Sequence, residues 1–330
     1  MNRNIKIVGI LGLAGYILLA SVHGYCADTV TYRLKWLFNA SVAGDLYADA
    51  RGVFARHGLQ VSVKEGSPEH DAIKELELGY AQFGAASADQ IIRAVSMESP
   101  IVVIAQLFQK NPLQWVYRSA KLTIQSPVDF KGKTIGVTYG GNDETILRAL
   151  MAKFGLARDS VNLYSVRYDY TPFYEGKVDL WPVYINAQGV IIRQKLATAG
   201  EKTAFFSPEA FGIRFVANSV ITSRKLLKEN PDMVNRFRQA LIEGWQEAMA
   251  PENTEKTITV LRQFDKDTPE ATAREQLTET RPLVQPGSPK DVGQINVTAW
   301  KQTEDIMLNQ KLISGPVHVT RILKGNLKTD

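Results

Sequence analysis

The chain has 330 residues, 45% hydrophobic and 22% charged, a globular composition with no low-complexity tract and no repeat of solenoid period. Its formal charge of +5 includes Arg3 and Lys6 at the extreme N-terminus. The other Lys and Arg residues are scattered, which excludes a basic tract that tracks a phosphate backbone, and so excludes a nucleic-acid partner.

Residues Arg3 and Lys6 precede an uncharged apolar run from Ile7 to Val22. The run falls short of the roughly 20 residues needed to span a membrane. A charged head, an apolar middle and small residues at the end predict a secretory signal peptide over 1–27, with cleavage after Gly24 or Ala27 and a periplasmic mature protein. The sole cysteine, Cys26, stands where a lipid anchor would be attached, but His23-Gly24-Tyr25 lacks the small residues that such a site requires. With that one cysteine at the signal boundary, the mature chain has no disulfide and no cysteine-based metal site.

After the signal, short apolar strands alternate with amphipathic helices, which predicts an α/β fold with a mostly parallel, helix-covered sheet. Tyr32–Phe38 reads as the first strand, followed by a helix over Ala43–Arg56 that His57-Gly58 stops. Strands over Gln60–Lys64, Gln82–Ala85 and Ile101–Leu107 are separated by helices over Asp71–Leu78 and Asp89–Ser96. A second unit of the same kind runs through strands at Lys133–Val137, Val161–Val166 and Val178–Val183, with helices over Asp143–Phe154 and from Thr171. Arg214–Thr222 returns to the first unit, and the remainder is mainly helical, including a helix over Met233–Ala250. This order predicts two lobes: 28–118 with 218–330, and an inserted lobe over 119–217. Crossover strands near Gln114–Arg118 and Phe215–Thr222 would join them, leaving a ligand cleft in between.

Several segments in this order resemble the thiamine-pyrimidine-precursor family of periplasmic binding proteins, which also includes a fungal pyrimidine synthase. They are Leu34-Lys35-Trp36-Leu37-Phe38-Asn39, Phe54-Ala55-Arg56-His57-Gly58-Leu59, Ser126-Pro127-Val128-Asp129-Phe130-Lys131-Gly132-Lys133, Asp143–Leu150, Gly176-Lys177-Val178-Asp179 and Pro208-Glu209-Ala210-Phe211-Gly212. The resemblance covers roughly residues 30–250. It implies a type II periplasmic binding fold that serves an ABC permease and ATPase as solute receptor, as a monomer. Val42-Ala43-Gly44 replaces a His-x-Gly of the pyrimidine binders, and the iron-binding cysteine motif of the fungal enzyme is missing. The resemblance therefore implies binding rather than synthesis.

The site candidates sit at strand ends and helix starts. Trp36 and Asn39 follow the first strand, where an indole stacks on a flat ring and an amide reads one donor and one acceptor. Ser87 opens a helix and is equally suited to plain N-capping. Gly140, Gly141 and Asn142 open a helix of the second lobe, where glycines let backbone N–H groups approach a ligand. Trp181 and Tyr184 end a strand with Pro182 between them, and Asn186 and Gln188 follow. Phe211, Tyr168, Tyr170 and Tyr174 are further aromatic candidates, whereas Trp115 and Trp245 read as core or hinge. The four histidines show no metal-ligand spacing, and no nucleophile elbow, phosphate loop or nucleotide fingerprint is present. The expected ligand is a small aromatic or heterocyclic solute, with a sulfonate, nitrate or taurine-type anion as the rival. No catalytic residue and no cofactor is implied.

Overall fold

The structure is a computed structural model that describes residues 27–325, except 68, 167 and 168. The expected signal peptide up to Cys26, and Tyr168, lie outside the described residues. Among the described residues ten strands form the frame: β1 Asp28–Arg33, β2 Leu59–Lys64, β3 Phe83–Ala86, β4 Ile101–Gln106, β5 Leu113–Arg118, β6 Thr134–Val137, β7 Asn162–Ser165, β8 Trp181–Tyr184, β9 Thr203–Phe206 and β10 Ser219–Ser223.

They fall into two groups. The first is a five-stranded sheet in the order β2-β1-β3-β10-β4. Strands β1, β2 and β3 run parallel, and β10 is antiparallel to both of its neighbours. The second group holds the antiparallel trio β8-β5-β9 and the parallel pair β6-β7, joined by a bridge between Ile135 and Leu180. The expectation of mostly parallel sheets is corrected by these pairings. Strand β10 enters its sheet from the side of the second group, so it must run against its neighbours.

The links between the groups also differ from the expected ones. Gln114–Arg118 lies within β5 and pairs only with β8 and β9, and β10 pairs only with β3 and β4. The connecting runs are 107–112 and 207–218, and they contain no strand. Apolar sequence alone cannot separate a strand that crosses from one that begins just beyond the crossing, because both are buried.

Helices cover both faces of the first sheet. The expected helix over Ala43–Arg56 is two, Ala43–Ala50 and Val53–Arg56, interrupted at Gly52 with φ +67°. Helix Ala43–Ala50 packs on helix Pro231–Met249 with no room for a side chain at the crossing. A Cβ on Gly44 would lie 2.1 Å from the Trp245 ring. Trp245 is fully buried there, which fixes it as core. On the same helix Asp45 is 1% exposed, and its Oδ1 accepts a 2.8 Å hydrogen bond from Tyr32 Oη. Burial pushes its carboxyl up to about 7. Helices Ala72–Glu77, Ala88–Ser96 and Val297–Asn309 close the other face around Trp300 and Ile221.

Two elements of the second group carry no clear sequence signal. Helix Gln188–Thr198 follows β8 after a three-residue turn, and β9 precedes a short 3-10 turn over Pro208–Phe211. Helix Gln188–Thr198 is tied to helix Glu270–Val284 of the first group. Arg193 reaches both Glu275, at 2.5 Å, and Glu279, at 2.9 Å. Asn186, fully buried, donates to Ser41 Oγ and Thr280 Oγ1. Among the described residues, no helix is long and apolar enough to cross a membrane.

Candidate functional site

A cleft of about 600 Å³ lies between the two sheet groups. One wall comes from the loop that leaves β1, carrying Lys35, Trp36 and Asn39, and from Ser41 and Val42 just beyond it. The opposite wall comes from β8 and its turn, with Trp181, Pro182, Val183, Tyr184 and Gln188, joined by Tyr170 and Val166. The helix start at Asn142 and Asp143 and the residue Asn218, at the end of the second connecting run, complete it.

The loop after β1 is positioned by close backbone packing. Strand β1 ends at Arg33, earlier than the predicted Phe38, because only Leu34 continues the pairing, through its N–H to Lys64 O. The chain then turns over Gly66. A Cβ there would meet Leu34 O at 2.1 Å and the Lys35 carbonyl carbon at 2.6 Å. Gly66 N–H donates to Trp36 O. Only a glycine allows the two segments so near each other.

Strand β8 has the alternation that splits its side chains. Trp181 and Val183 are buried while Pro182 and Tyr184 are half-buried. Pro182 has no N–H to give a ladder, and β8 is the outer strand of its trio, where this is tolerated. Trp181 is 1% exposed. Its ring sits in a cluster with Tyr170, Phe173 and Tyr164 at centroid separations of 5.9, 6.2 and 6.4 Å. The expected contrast between a cleft-facing Trp181 and a structural Trp115 is therefore corrected. Both are buried, and Trp181 reaches the cleft only as part of a packed aromatic floor.

The polar groups converge on one oxygen. Lys35 Nζ donates to Tyr184 Oη at 3.2 Å and Asn142 Nδ2 approaches the same oxygen at 3.4 Å. Burial alone would lower the Lys35 ammonium, but Tyr184, Asp89 and Asp143 outweigh it and hold it above its ordinary value. Asp143 is 4% exposed. Burial pushes its carboxyl up to about 6, opposed by hydrogen bonds that include the Thr138 N–H at 2.6 Å. Lys35 and Asp143 are the only charged side chains on the cleft wall among the described residues, and the buried Asp89 adds a second carboxylate beside Lys35.

Of the ten residues singled out from sequence, the cleft brings together Trp36, Asn39, Asn142, Trp181, Tyr184 and Gln188. Two of these are partly engaged locally. Asn39 Oδ1 accepts from Ser41 N–H and its Nδ2 donates to Leu37 O, and Gln188 Oε1 accepts from Tyr184 N–H. Four lie elsewhere. Ser87 is 1% exposed and makes a capping box with Gln90. Gly140 N–H donates to Glu144 Oε2 and Gly141 N–H to Thr138 O, so both N–H groups close their own turn and do not point to a ligand. Phe211 stacks on Phe206 at 4.9 Å in the core of the second group. Tyr170 lines the cleft, while Tyr174 lies beneath Lys195, whose Nζ is 3.9 Å from its ring centroid. Lys35, Asp143 and Asn218 were missed by the sequence reading. Lys35 had a signal, as the neighbour of Trp36; Asn218 had none.

Comparison with known proteins places this geometry. Riboflavin-binding protein RibY of Chloroflexus aurantiacus is 25% identical over 312 residues, covering 88% of this chain and 83% of RibY. The periplasmic aliphatic sulphonate binding protein SsuA of Escherichia coli superposes with a TM-score of 0.72 at 14% identity, over 89% of this chain and 97% of SsuA. The desulfurization enzyme DSZB superposes with a TM-score of 0.61 at 13% identity, over 91% and 97%. These likenesses show the type II periplasmic-binding-protein fold, an α/β fold that hosts both binding proteins and an enzyme. The family model described as NMT1/THI5 like matches residues 39–254, a span that holds all of the cleft walls just described except Lys35 and Trp36; the chain belongs to the NMT1/THI5-like family.

Proposed function

We propose that the protein is the exported solute receptor of an ABC importer, and that its ligand is a small, flat, uncharged heterocycle. The two sheet groups, 28–112 and 213–325 on one side and 113–212 on the other, are the lobes in this reading. Their hinged approach presents the loaded form to a membrane permease driven by an ATPase. The observation that carries it is the cleft itself. An indole lines one wall and a phenol and a packed aromatic floor line the other, with amide groups of Asn39, Asn142, Gln188 and Asn218 among the lining residues. Such rings stack best in offset or edge-on pairs, each worth about 0.5–1.5 kcal/mol beyond the area buried. RibY, a relative named for a flavin, supports a flat ring; a thiamine pyrimidine precursor has the same shape class.

SsuA, a structural neighbour named for sulphonates, raises the anion as the rival. The charge balance favours the heterocycle, because Lys35, the one cation on the cleft wall among the described residues, is flanked by Asp89 and Asp143. A cation whose charge is already matched by two carboxylates has little left to offer an anion.

The reading is also one of stoichiometric binding without turnover. Among the described residues no group of three or more His, Cys, Asp or Glu is placed to hold a metal. The test is mass spectrometry of the solute released by denaturing protein from its native host, followed by calorimetry with that solute. One flat heterocycle per chain and no conversion are expected. A released sulfonate, or product accumulating over many turnovers, would overturn the reading.

A further inference from the structure

We propose that Asn218 is the specificity-determining residue of the cleft, reading an adjacent N–H and C=O on the edge of a heterocyclic ligand. This rests on the heterocycle reading above. Asn218 is 6% exposed and lines the cleft. Its Oδ1 is buried and has no hydrogen-bond partner among the described residues, and its Nδ2 donates to none of them. Buried amides are nearly always satisfied, because an unanswered donor or acceptor keeps its full desolvation cost.

The contrast with the other cleft amides locates the role. Asn39 is bonded at both ends of its amide, Gln188 through its oxygen and Asn142 through its nitrogen. Asn218 alone among them holds a complete amide with both functions open. Its backbone is fixed, since Asn218 O accepts from the N–H groups of both Leu107 and Phe108. Those two residues begin the first connecting run and Asn218 ends the second. The open amide is therefore anchored where the two runs meet, at a point held by both. An amide on a rigid backbone pairs in two places with a cyclic amide or imide edge, and cannot do so once the ring nitrogen carries a methyl group.

The charged groups of the cleft do not supply this selectivity. Lys35 and Asp143 already have partners in Tyr184 and Thr138. A ligand that lacks the edge would leave the Asn218 amide buried and unpaired, which is how a polar site rejects an analogue of the same shape.

The experiment compares two ring sizes, each with its edge open or blocked. Calorimetry with lumiflavin and 3-methyllumiflavin, and with 1-methylthymine and 1,3-dimethylthymine, is run on the wild type, Asn218→Leu and Asn218→Asp. At least one open-edge ring should bind the wild type roughly 10- to 100-fold more tightly than its methylated partner, the range of two hydrogen bonds. Asn218→Leu should abolish that preference while leaving the melting temperature of the ligand-free protein unchanged or higher, because it removes an unpaired polar group from a buried position. Asn218→Asp should weaken binding of the open-edge rings, since a carboxylate still accepts the ring N–H but offers no N–H to the ring carbonyl beside it. Equal affinity for open and blocked rings, or an undiminished preference in Asn218→Leu, overturns the assignment of Asn218 and leaves the heterocycle reading standing. A fall of more than about 5 °C in both ligand-free variants assigns the amide to the scaffold and likewise overturns it. Failure of the wild type to bind any of the four rings, with tight binding of an alkanesulfonate such as MOPS, overturns the heterocycle reading and this inference together.

Discussion

The ammonium of Lys35 lies 3.2 Å from the phenol oxygen of Tyr184, two residues 149 positions apart in the chain, on facing walls of the cleft. The loop leaving the first strand is thereby tied directly to the end of β8. Tyr184→Phe keeps the ring and removes the shared oxygen, so both the Lys35 contact and the Asn142 contact are lost. For a heterocycle held between the walls, affinity should fall about 3- to 10-fold, the effect of roughly 1 kcal/mol. The melting temperature should move little, because Tyr184 is only half-buried. Calorimetry and a thermal melt on the same preparation check both, and an unchanged Kd would remove this contact from ligand binding.

The two tryptophans should separate binding from stability. Trp36 is half-buried on a loop, and Trp36→Ala should weaken ligand binding by roughly 2 kcal/mol, near 30-fold. Trp181 anchors an aromatic cluster, so Trp181→Ala should cost about 3–5 kcal/mol of folding stability. Denaturant melts of the two variants measure this directly. A larger stability loss in Trp36→Ala than in Trp181→Ala would reverse the roles.

Asp45 sets a pH dependence whose sign follows from its burial. Its carboxyl rises from an ordinary 3.8 to about 7 in the folded protein. The folded chain therefore holds this proton more tightly than the unfolded one. The stability it confers is fully present below about pH 4 and is lost as pH rises through about 7, roughly 4 kcal/mol at most. Asp45→Asn still offers Tyr32 an acceptor but does not titrate. The stability difference between the two proteins should swing toward Asp45→Asn between pH 4 and pH 8. Parallel curves over that range would show that Asp45 ionises freely.

Asp143 tests the charge argument for the ligand. Burial raises its carboxyl to about 6, so lowering the pH from 7 to 5 removes a negative charge beside Lys35. Affinity for an uncharged ring should change less than about 3-fold across this interval. An anionic probe whose own charge is constant over this interval, such as propane-1-sulfonate, should gain affinity as the pH falls, and Asp143→Asn should bind that probe at pH 7 as the wild type does at pH 5. Titration calorimetry at the two pH values reads both. Tight binding of MOPS by the wild type at pH 7 would count against the heterocycle.

Much of this was legible in the sequence where a local rule governs. Strands β2, β3 and β4 and helix Asn142–Lys153 lie within a residue or two of their expected positions, because apolar periodicity and caps such as Asp71 and Ser87 act locally. The cleft residues Trp36, Tyr184 and Asn142 were found because side chains at strand ends and helix starts face the gap between sheets. Asn218 was not legible. Its meaning comes from an absent partner, and partners are set by tertiary contacts such as those of Leu107 and Phe108. Gly140 and Gly141 misled for the opposite reason, since a glycine pair looks the same whether its N–H groups face a ligand or close a turn. Burial of Trp181 was hidden because strand alternation fixes which residues share a face, but not which face meets the cleft.

The position of β10 has a consequence for how the molecule is made. Strands β3 and β4 are not neighbours; β10 lies between them and arrives 118 residues after β4 begins. A chain emerging N-terminus first presents two unpaired edges at β3 and β4 until residue 223 is free, whereas β5 to β9 are complete by residue 206. The later-made half can therefore condense first, and the earlier half must wait with its middle missing. Closing so long a loop slows the pairing of β10. The interval in which β3 and β4 lie bare is when this protein is most open to aggregation or to a holding chaperone.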